Sequence, residues 1–405
     1  MLETGSTGFM LLACSLVMLM TPGLAFFYGG LATKRNILGI MIQSFFSLGW
    51  TTVLWFIFGY SLCFSGGEGA IFGNFDKAFL NGVDINSMYS NGKIPEIVFI
   101  AYQMMFAIIT PALITGAFVN RVSFKSYVIF LTLWQIFVYY PFVHMIWGGG
   151  FLAQMGVLDF AGGIVVHATA GFAALASVFY IGARVDKNST PNSIPLVAIG
   201  SGLLWFGWYG FNAGSEVAVD NITAIAFLNT DVAASFATIS WVIIEWIRER
   251  RPKFVGLLTG SIAGLATITP CAGYVPLWAA ALIGAIAGLV CYGAVQWKNR
   301  MKWDDALDVW GVHGVGGVLG TILLGVFAST AINPAGADGL INGGGSFFFK
   351  QLIAVVAASA YAFLFTYIML ILINFITPVR VSETIEKEGL DASIHGERAY
   401  DEGAL

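Results

Sequence analysis

Two histidines carry most of the chemistry the sequence offers. His167 lies in DFAGGIVVHATAG (Asp159–Gly171) and His313 in WGVHGVGGVLG (Trp310–Gly320), stretches that are otherwise almost wholly apolar and rich in glycine. A neutral imidazole presents one donor and one acceptor nitrogen and can hand a proton along at physiological pH. Within a membrane span such a ring costs several kcal/mol to place, so by default it marks a pathway or a buried pair. A single buried histidine is as readily a core residue bonded to a nearby carbonyl, and a matched pair weighs against that reading. The competing chemistry is bis-imidazole haem ligation, which would make an electron carrier. Haem quinol cytochromes of this type usually place two histidines on one helix, whereas here each apolar stretch holds one histidine.

The elements around these rings are membrane spans. Hydrophobic residues make up 58% of the 405-residue chain and charged residues 10%, against about 25% charged in a soluble domain. Mean hydropathy is +0.80. The 49 glycines, well above the usual ~7% share, suit spans whose backbones pack closely. A formal net charge of −4 gives no reason to invoke nucleic acid. Cys14, Cys63, Cys271 and Cys291 sit in or beside apolar runs without CxxC or metal-type spacing and read as small core residues. No lysine or arginine precedes the apolar run that begins at Gly8, so this run is expected to be a retained first span. No nucleotide-binding loop or hydrolytic triad is present, which argues against an enzyme.

A span needs about 20 apolar residues. Eight stretches free of Asp, Glu, Lys and Arg are long enough: 4–33, 36–67, 97–120, 126–158, 160–183, 188–215, 309–337 and 351–379. The run 254–297, broken at TPCAGY (Thr269–Tyr274), holds two more, and a span over about 222–246 tolerates one acid, Asp231, giving eleven. Short inner loops collect Lys and Arg. Alternate loops, with Lys34, Arg121, Arg184, Lys187, Arg250 and Lys298 among their residues, join the tail in placing 16 of the 19 basic residues on one face. The other face holds Lys77, Lys93 and Lys350. The N terminus is therefore expected outside and the C terminus in the cytoplasm. Residues 66–93 form the one long outer loop, full of turn-forming Gly, Asn and Asp.

Five spans per half force the halves into opposite orientations, and inverted repeats of this kind put the substrate path at their interface near the midplane. His167 falls on the fifth span and His313 on the tenth, each preceded by valine and followed four residues later by Gly171 or Gly317. GLAFFYGG (Gly23–Gly30) on the first span echoes WYGFNAGS (Trp208–Ser215) on the sixth. The expected fold is all-α integral membrane, an inverted five-plus-five repeat with one additional helix. The halves cover about 1–185 and 188–330, the eleventh helix about 347–379, and a cytoplasmic tail 380–405. Gly162, Gly163, Gly314, Gly316 and Gly317 would let neighbouring backbones approach and bring the two imidazoles together on the axis of the halves.

Five ordered motifs, DFAGGIVVHATAG, HMIWGGG (His144–Gly150), WFGWYGFNAGS (Trp205–Ser215), WGVHGVGGVLG and EGLDASIHGERAY (Glu388–Tyr400), together resemble the ammonium transporter (Amt/Mep/Rh) family in its prokaryotic, Amt-like form. That resemblance implies eleven spans, a homotrimer with one pore per subunit, no cofactor or metal, and transport of ammonium or methylammonium across the cell membrane. It also implies that Trp147, Ser215 and Tyr102 form an outer recruitment site and that Phe106 and Phe211 form an aromatic gate below it. His167 and His313 then resemble the pore-lining pair, and Asp159 the supporting acid. Tyr102 departs from many relatives, which carry phenylalanine there. The tail is implied to pack under neighbouring subunits and to help a cytoplasmic PII-type protein plug the pore.

Energetics agrees with a neutral cargo. Aromatic faces attract cations by roughly 0.5–2 kcal/mol, and a serine hydroxyl can accept an N–H. Stripping an ion for passage along an apolar bore costs roughly tens of kcal/mol on a Born estimate. Removing a proton from an amine of pKa ~10 at pH 7 costs about 4 kcal/mol. Ammonium is therefore expected to shed its proton near the gate and to travel as ammonia past His167 and His313. Without the family, Trp147 reads equally as an interfacial belt residue, Phe106 and Phe211 as core aromatics, and Asp159 as an N-cap. Asp231, about ten residues into its span, is costly there and is expected at a subunit contact rather than in the pore. Two other functions stay open: an ammonium sensor acting through a cytoplasmic partner, and an Rh-type neutral gas channel, for which an aromatic recruitment site is less expected.

Overall fold

The computed structural model describes residues 2–67, 69–90, 92–186 and 190–400. Glu68 and Asn91 of the outer loop, Lys187 among the basic residues and the last five residues of the tail lie outside them.

Apolar runs with no water to bond their amides must satisfy the backbone internally, and these do so as helices. The order is α1 (Thr4–Leu31), α2 (Ile37–Phe64), α3 (Glu96–Ala117), α4 (Phe124–Gln154), α5 (Gly163–Ile181) and α6 (Ile194–Glu216). It continues with α7 (Asn221–Glu249), α8 (Phe254–Ile268), α9 (Leu277–Arg300), α10 (Trp310–Phe327) and α11 (Gly345–Ile376). Among the described residues ten of these are long and apolar enough to cross a membrane, and the chain is a multi-pass membrane protein. α8 is the short one, 15 residues, about 22 Å at 1.5 Å per residue. The break at TPCAGY is a turn, in which Cys271 N donates to Ile268 O and Tyr274 N to Cys271 O, both at 2.8 Å. A short tail helix, α12 (Glu383–Glu388), follows.

Helices that echo each other in sequence also pack together. A Cβ on Gly200 of α6 would lie 2.3 Å from the Phe27 nitrogen of α1, and one on Gly30 of α1 would lie 2.6 Å from the carbonyl oxygen of Ser193, at the start of α6. α5 meets α10 in the same way: a Cβ on Gly171 would fall 2.1 Å from the Gly314 Cα, and one on Gly317 2.6 Å from the Ala168 nitrogen. Only residues without side chains allow backbones this close. First thus pairs with sixth, and fifth with tenth.

Charge sorts the two ends of the bundle. At one end the buried Arg121 donates to Gly182 O (2.5 Å), to Asp304 O (3.0 Å) and to Ala117 O. Arg184 grips the Asp304 carboxylate, and Arg380 donates to Ile181 O (3.0 Å) and Ala183 O (2.8 Å). Loops 118–123, 182–186 and 301–309 and the tail therefore meet there, and Asp391 brings in α2 by accepting from Leu38 N (3.1 Å) and Gly39 N (2.8 Å). At the other end Glu3 N donates to Lys93 O at 3.0 Å, and Lys77 pairs with Glu96.

The acid within α7 finds its partners inside the chain. Asp231 Oδ1 accepts from Tyr209 Oη at 2.6 Å and Trp205 Nε1 at 3.1 Å. These donors stand one turn apart on α6, so the charge is met by a neighbouring helix without recourse to a second subunit.

Candidate functional site

α5 begins where one carboxylate caps it. Asp159, 5% exposed, accepts four backbone N–H groups: Gly162 (2.8 Å) and Gly163 (2.6 Å) on Oδ1, Ile164 (2.8 Å) and Val165 (3.1 Å) on Oδ2. Gly162, at φ 117°, lets the chain fold back onto that carboxylate. The first turn of α5 is π-helical, Gly163–Ala168, and carries His167. α10 repeats the device. Asp305, 1% exposed, accepts from Val309 N (3.1 Å) and Trp310 N (2.8 Å), and the π-helical turn Trp310–Gly314 carries His313. Burial pushes the Asp305 carboxyl up to about 6, against the pull of the Lys298 ammonium. Lys298 Nζ donates to the Asp305 carbonyl at 2.7 Å.

The two rings meet between these helices. His167 Nδ1 and His313 Nδ1 are 3.3 Å apart, with ring centroids at 5.2 Å and planes 18° apart. One Nδ1 donates and the other accepts, so a single proton joins two neutral rings. No protein group among the described residues meets His167 Nε2. Both rings line a cavity of ≈ 20 Å³, otherwise walled by apolar side chains such as Ile109, Leu113 and Leu204. That volume admits about one water-sized molecule.

Phe211 lines the same cavity and stacks on Phe106. Phe106 and Phe211 lie 4.1 Å apart with planes at 27°, both buried, and Phe211 stacks 6.1 Å from the His167 ring. Phe106 also meets Tyr102 (5.0 Å) and, edge to face, Trp147 (5.9 Å). Trp147 is partly exposed, and its Nε1 donates to the Asp159 carbonyl at 2.8 Å. Ser215 Oγ donates to Phe211 O at 2.9 Å, which leaves its lone pairs as acceptors. Tyr102 is wholly buried, its hydroxyl 2.8 Å from Phe211 O, 2.9 Å from Gly210 O and 3.3 Å from Ser215 Oγ. Its hydroxyl is thus committed to the end of α6, and the ring is what it offers.

All eight residues singled out from the sequence therefore form one contiguous cluster, from the partly exposed Trp147 and Ser215 to the buried histidines. Aromatic faces at its rim can draw a small cation, stacked rings can exclude water, and paired imidazoles can hydrogen-bond a small amine. Two further residues belong to the site. Trp208 stacks 5.4 Å from His167, fixed by Nε1 donating to Thr269 Oγ1 at 2.9 Å. Its signal was its place three residues before Phe211, on the same helical face. Asp305 was signalled by spacing: Asp159 and Asp305 each stand eight residues before a histidine.

This architecture has close parallels among known proteins. Residues 8–400 match the family model described as Ammonium Transporter Family. The chain is 42% identical over 401 residues to the ammonium transporter of Bacillus subtilis, covering 98% of this chain and 99% of that one. It is also 42% identical over 402 residues to ammonium transporter Amt1 of Archaeoglobus fulgidus, covering 98% and 100%. The crystal structure of Saccharomyces cerevisiae Mep2 superposes with a TM-score of 0.91 at 34% identity, over 100% of this chain and 93% of that one. A solved chain titled Sensor Amt Protein gives a TM-score of 0.87 at 27% identity, covering 95% and 97%. With the match running through every span that builds the histidine cluster, the chain belongs to the ammonium transporter family.

Proposed function

We propose that the protein transports ammonium by drawing the cation to Trp147, Ser215 and Tyr102, removing its proton at the Phe106–Phe211 gate, and passing ammonia along His167 and His313. The observation that carries this reading is the imidazole pair, Nδ1 to Nδ1 at 3.3 Å, in a narrow apolar cavity lined by Phe211, which stacks on Phe106. Trp147 supplies a π face and Ser215 an acceptor for an ammonium N–H. Asp159, held by four backbone donors and tied to Trp147 through its carbonyl, adds negative potential beneath that site. The proton joining the two Nδ1 atoms supports a proton route along the rings, so that transport carries charge.

The topology that goes with this function has eleven crossings, α8 being the shortest, with the N terminus outside. The basic loops and the tail 380–405 then face the cytoplasm. Halves 1–185 and 188–330 form the inverted repeat, supported by the α1–α6 and α5–α10 contacts, and residues 347–379 add the last crossing. We read the assembly as a homotrimer whose tail, with its adjoining basic loops, meets a PII-type cytoplasmic regulator. The docking of Glu386 on Val185 N (2.6 Å) and of Asp391 on Gly39 N supports a tail that senses the loops above it.

An ammonium pulse on proteoliposomes, read as current together with methylammonium uptake, tests the proposal. The native protein is expected to give an ammonium-evoked current, and His167→Ala and His313→Ala to abolish it or strip its selectivity. Native current and selectivity in both variants would remove the histidines from the mechanism. Uptake without current would leave neutral ammonia as the only transported species. Neither uptake nor current would favour a sensor, the reading suggested by the likeness to Sensor Amt Protein.

A further inference from the structure

We propose that Asp305 is the positioning residue of His313, so that the conduit contains two copies of one unit, an acid eight residues before an imidazole. This rests on the reading of the histidines as pore-lining. Four observations converge on it. First, Asp305 is almost fully buried, and its carboxylate is committed to the Val309 and Trp310 N–H groups. Second, those N–H groups open the π-helical turn that carries His313, as the N–H groups that donate to Asp159 open the turn that carries His167. Third, the acid-to-histidine spacing is identical in the two halves. Fourth, the buried Lys298 fixes the Asp305 backbone from the other side through its carbonyl, while pairing with Asp308.

The π-turn explains why a cap should matter to a side chain eight positions away. A π-turn holds one more residue than an α-turn, so relaxation to α geometry would swing the following residues by about one residue's angle, ~100° around the axis. An imidazole swung by that much could not keep a 3.3 Å contact with the opposite ring. The carboxylate, by taking both N–H groups at the start of the turn, fixes where the turn begins and hence where His313 points. Asp304 next to it faces the other way, into Arg184 and Arg121, so the two adjacent acids split the work of anchoring the loop and starting the helix. Asp305 is also the better of the two caps to test. Asp159 serves four donors and Asp305 two, so its loss is the less disruptive to the fold.

A double-variant cycle on proteoliposomes decides the matter, with ammonium-over-potassium discrimination measured for Asp305→Ala, His313→Ala and the two combined. Misplacement of the ring should cost Asp305→Ala at least about tenfold in discrimination. It should act in the same direction as His313→Ala, and the combined variant should be no worse than His313→Ala alone. Wild-type discrimination in Asp305→Ala, or a combined loss equal to the product of the single losses, would overturn the proposal, since a merely structural acid adds its effect to that of the ring. Asp305→Asn keeps one acceptor oxygen and should give an intermediate loss. It replaces the alanine variant in the same cycle, under the same two criteria, if the latter does not fold. An unchanged His313→Ala would refute the pore-histidine reading itself and is a separate result.

Discussion

Phe106 and Phe211 stack at 4.1 Å with their planes 27° apart, and the same Phe106 ring touches both Tyr102 and Trp147. In the proposed pathway one side chain would therefore belong at once to the barrier and to the rim. An apolar constriction of this kind works by excluding water. Phe211→Ala is expected to wet the passage and to lower ammonium-over-potassium discrimination by about tenfold, some 1.4 kcal/mol. Reversal potentials in mixed salts measure it, and unchanged selectivity would mean that the stacked rings are packing alone.

Trp147 presents a π face while its Nε1 is bonded to the Asp159 carbonyl. Trp147→Leu loses both. A cation–π contribution of roughly 0.5–2 kcal/mol corresponds to about a two- to thirtyfold rise in the half-saturating ammonium concentration, with maximal flux retained. Trp147→Phe keeps an aromatic face and should fall between. A drop in maximal flux at unchanged half-saturation would place Trp147 in the barrier instead.

At the opposite end, burial alone would raise the Asp304 carboxyl, but the Arg184 fork and the Arg121 charge hold it down to about 2. Because this lies below the ordinary value of 3.8, the unfolded chain takes up the proton first as pH falls. The stabilisation is complete above pH ~4 and is lost as pH drops towards ~2, a total of about 2 kcal/mol. Thermal unfolding of the detergent-solubilised protein between these limits should show the loss in the native chain and less of it in Asp304→Asn. Parallel pH profiles would contradict the ion-pair account.

Asp231 is expected to act on stability and not on flux. Its carboxylate holds Tyr209 and Trp205, neither of which is among the residues bordering the histidine cavity. Asp231→Ala should cost about 1–3 kcal/mol of stability, leaving transport per folded molecule as in the native chain. Altered selectivity in that variant would bring α7 into the pathway.

Removal of residues 381–405 takes away Glu386 and Asp391, which tie the tail to Val185 and to the start of α2. Uptake is expected to fall while the histidine-dependent selectivity is kept. A truncated protein with native uptake would show that the tail has no bearing on conduction.

Much of this was legible before any coordinates. Charge-free stretches gave the helices because a bilayer leaves the backbone no other solution, and the break at Thr269–Tyr274 split the 254–297 run where the chain turns. His167 and His313 could be matched from the sequence because an intramembrane imidazole is too costly to recur by chance, and the two rings do meet. Asp231 was harder, since its partners come from α6 and only packing of α6 on α7 reveals them. Trp208 and Asp305 were visible in principle, one by helical face and the other by spacing. Against a background of 12 tryptophans and a tail of ordinary loop acids, neither stands out until its neighbours are known.

The glycine contacts of α1 with α6 and of α5 with α10 have a kinetic meaning. Where Gly171 meets Gly314 and Gly200 meets Phe27, main chain rests on main chain, and no layer of side chains is left to slide or repack. Carriers that rock one repeat against the other to expose a site alternately to each side need such a layer. Such a scaffold is expected to stay fixed, so that the rate of passage along the proposed pathway would be set by the height of the barriers inside it and not by a cycle of shape changes.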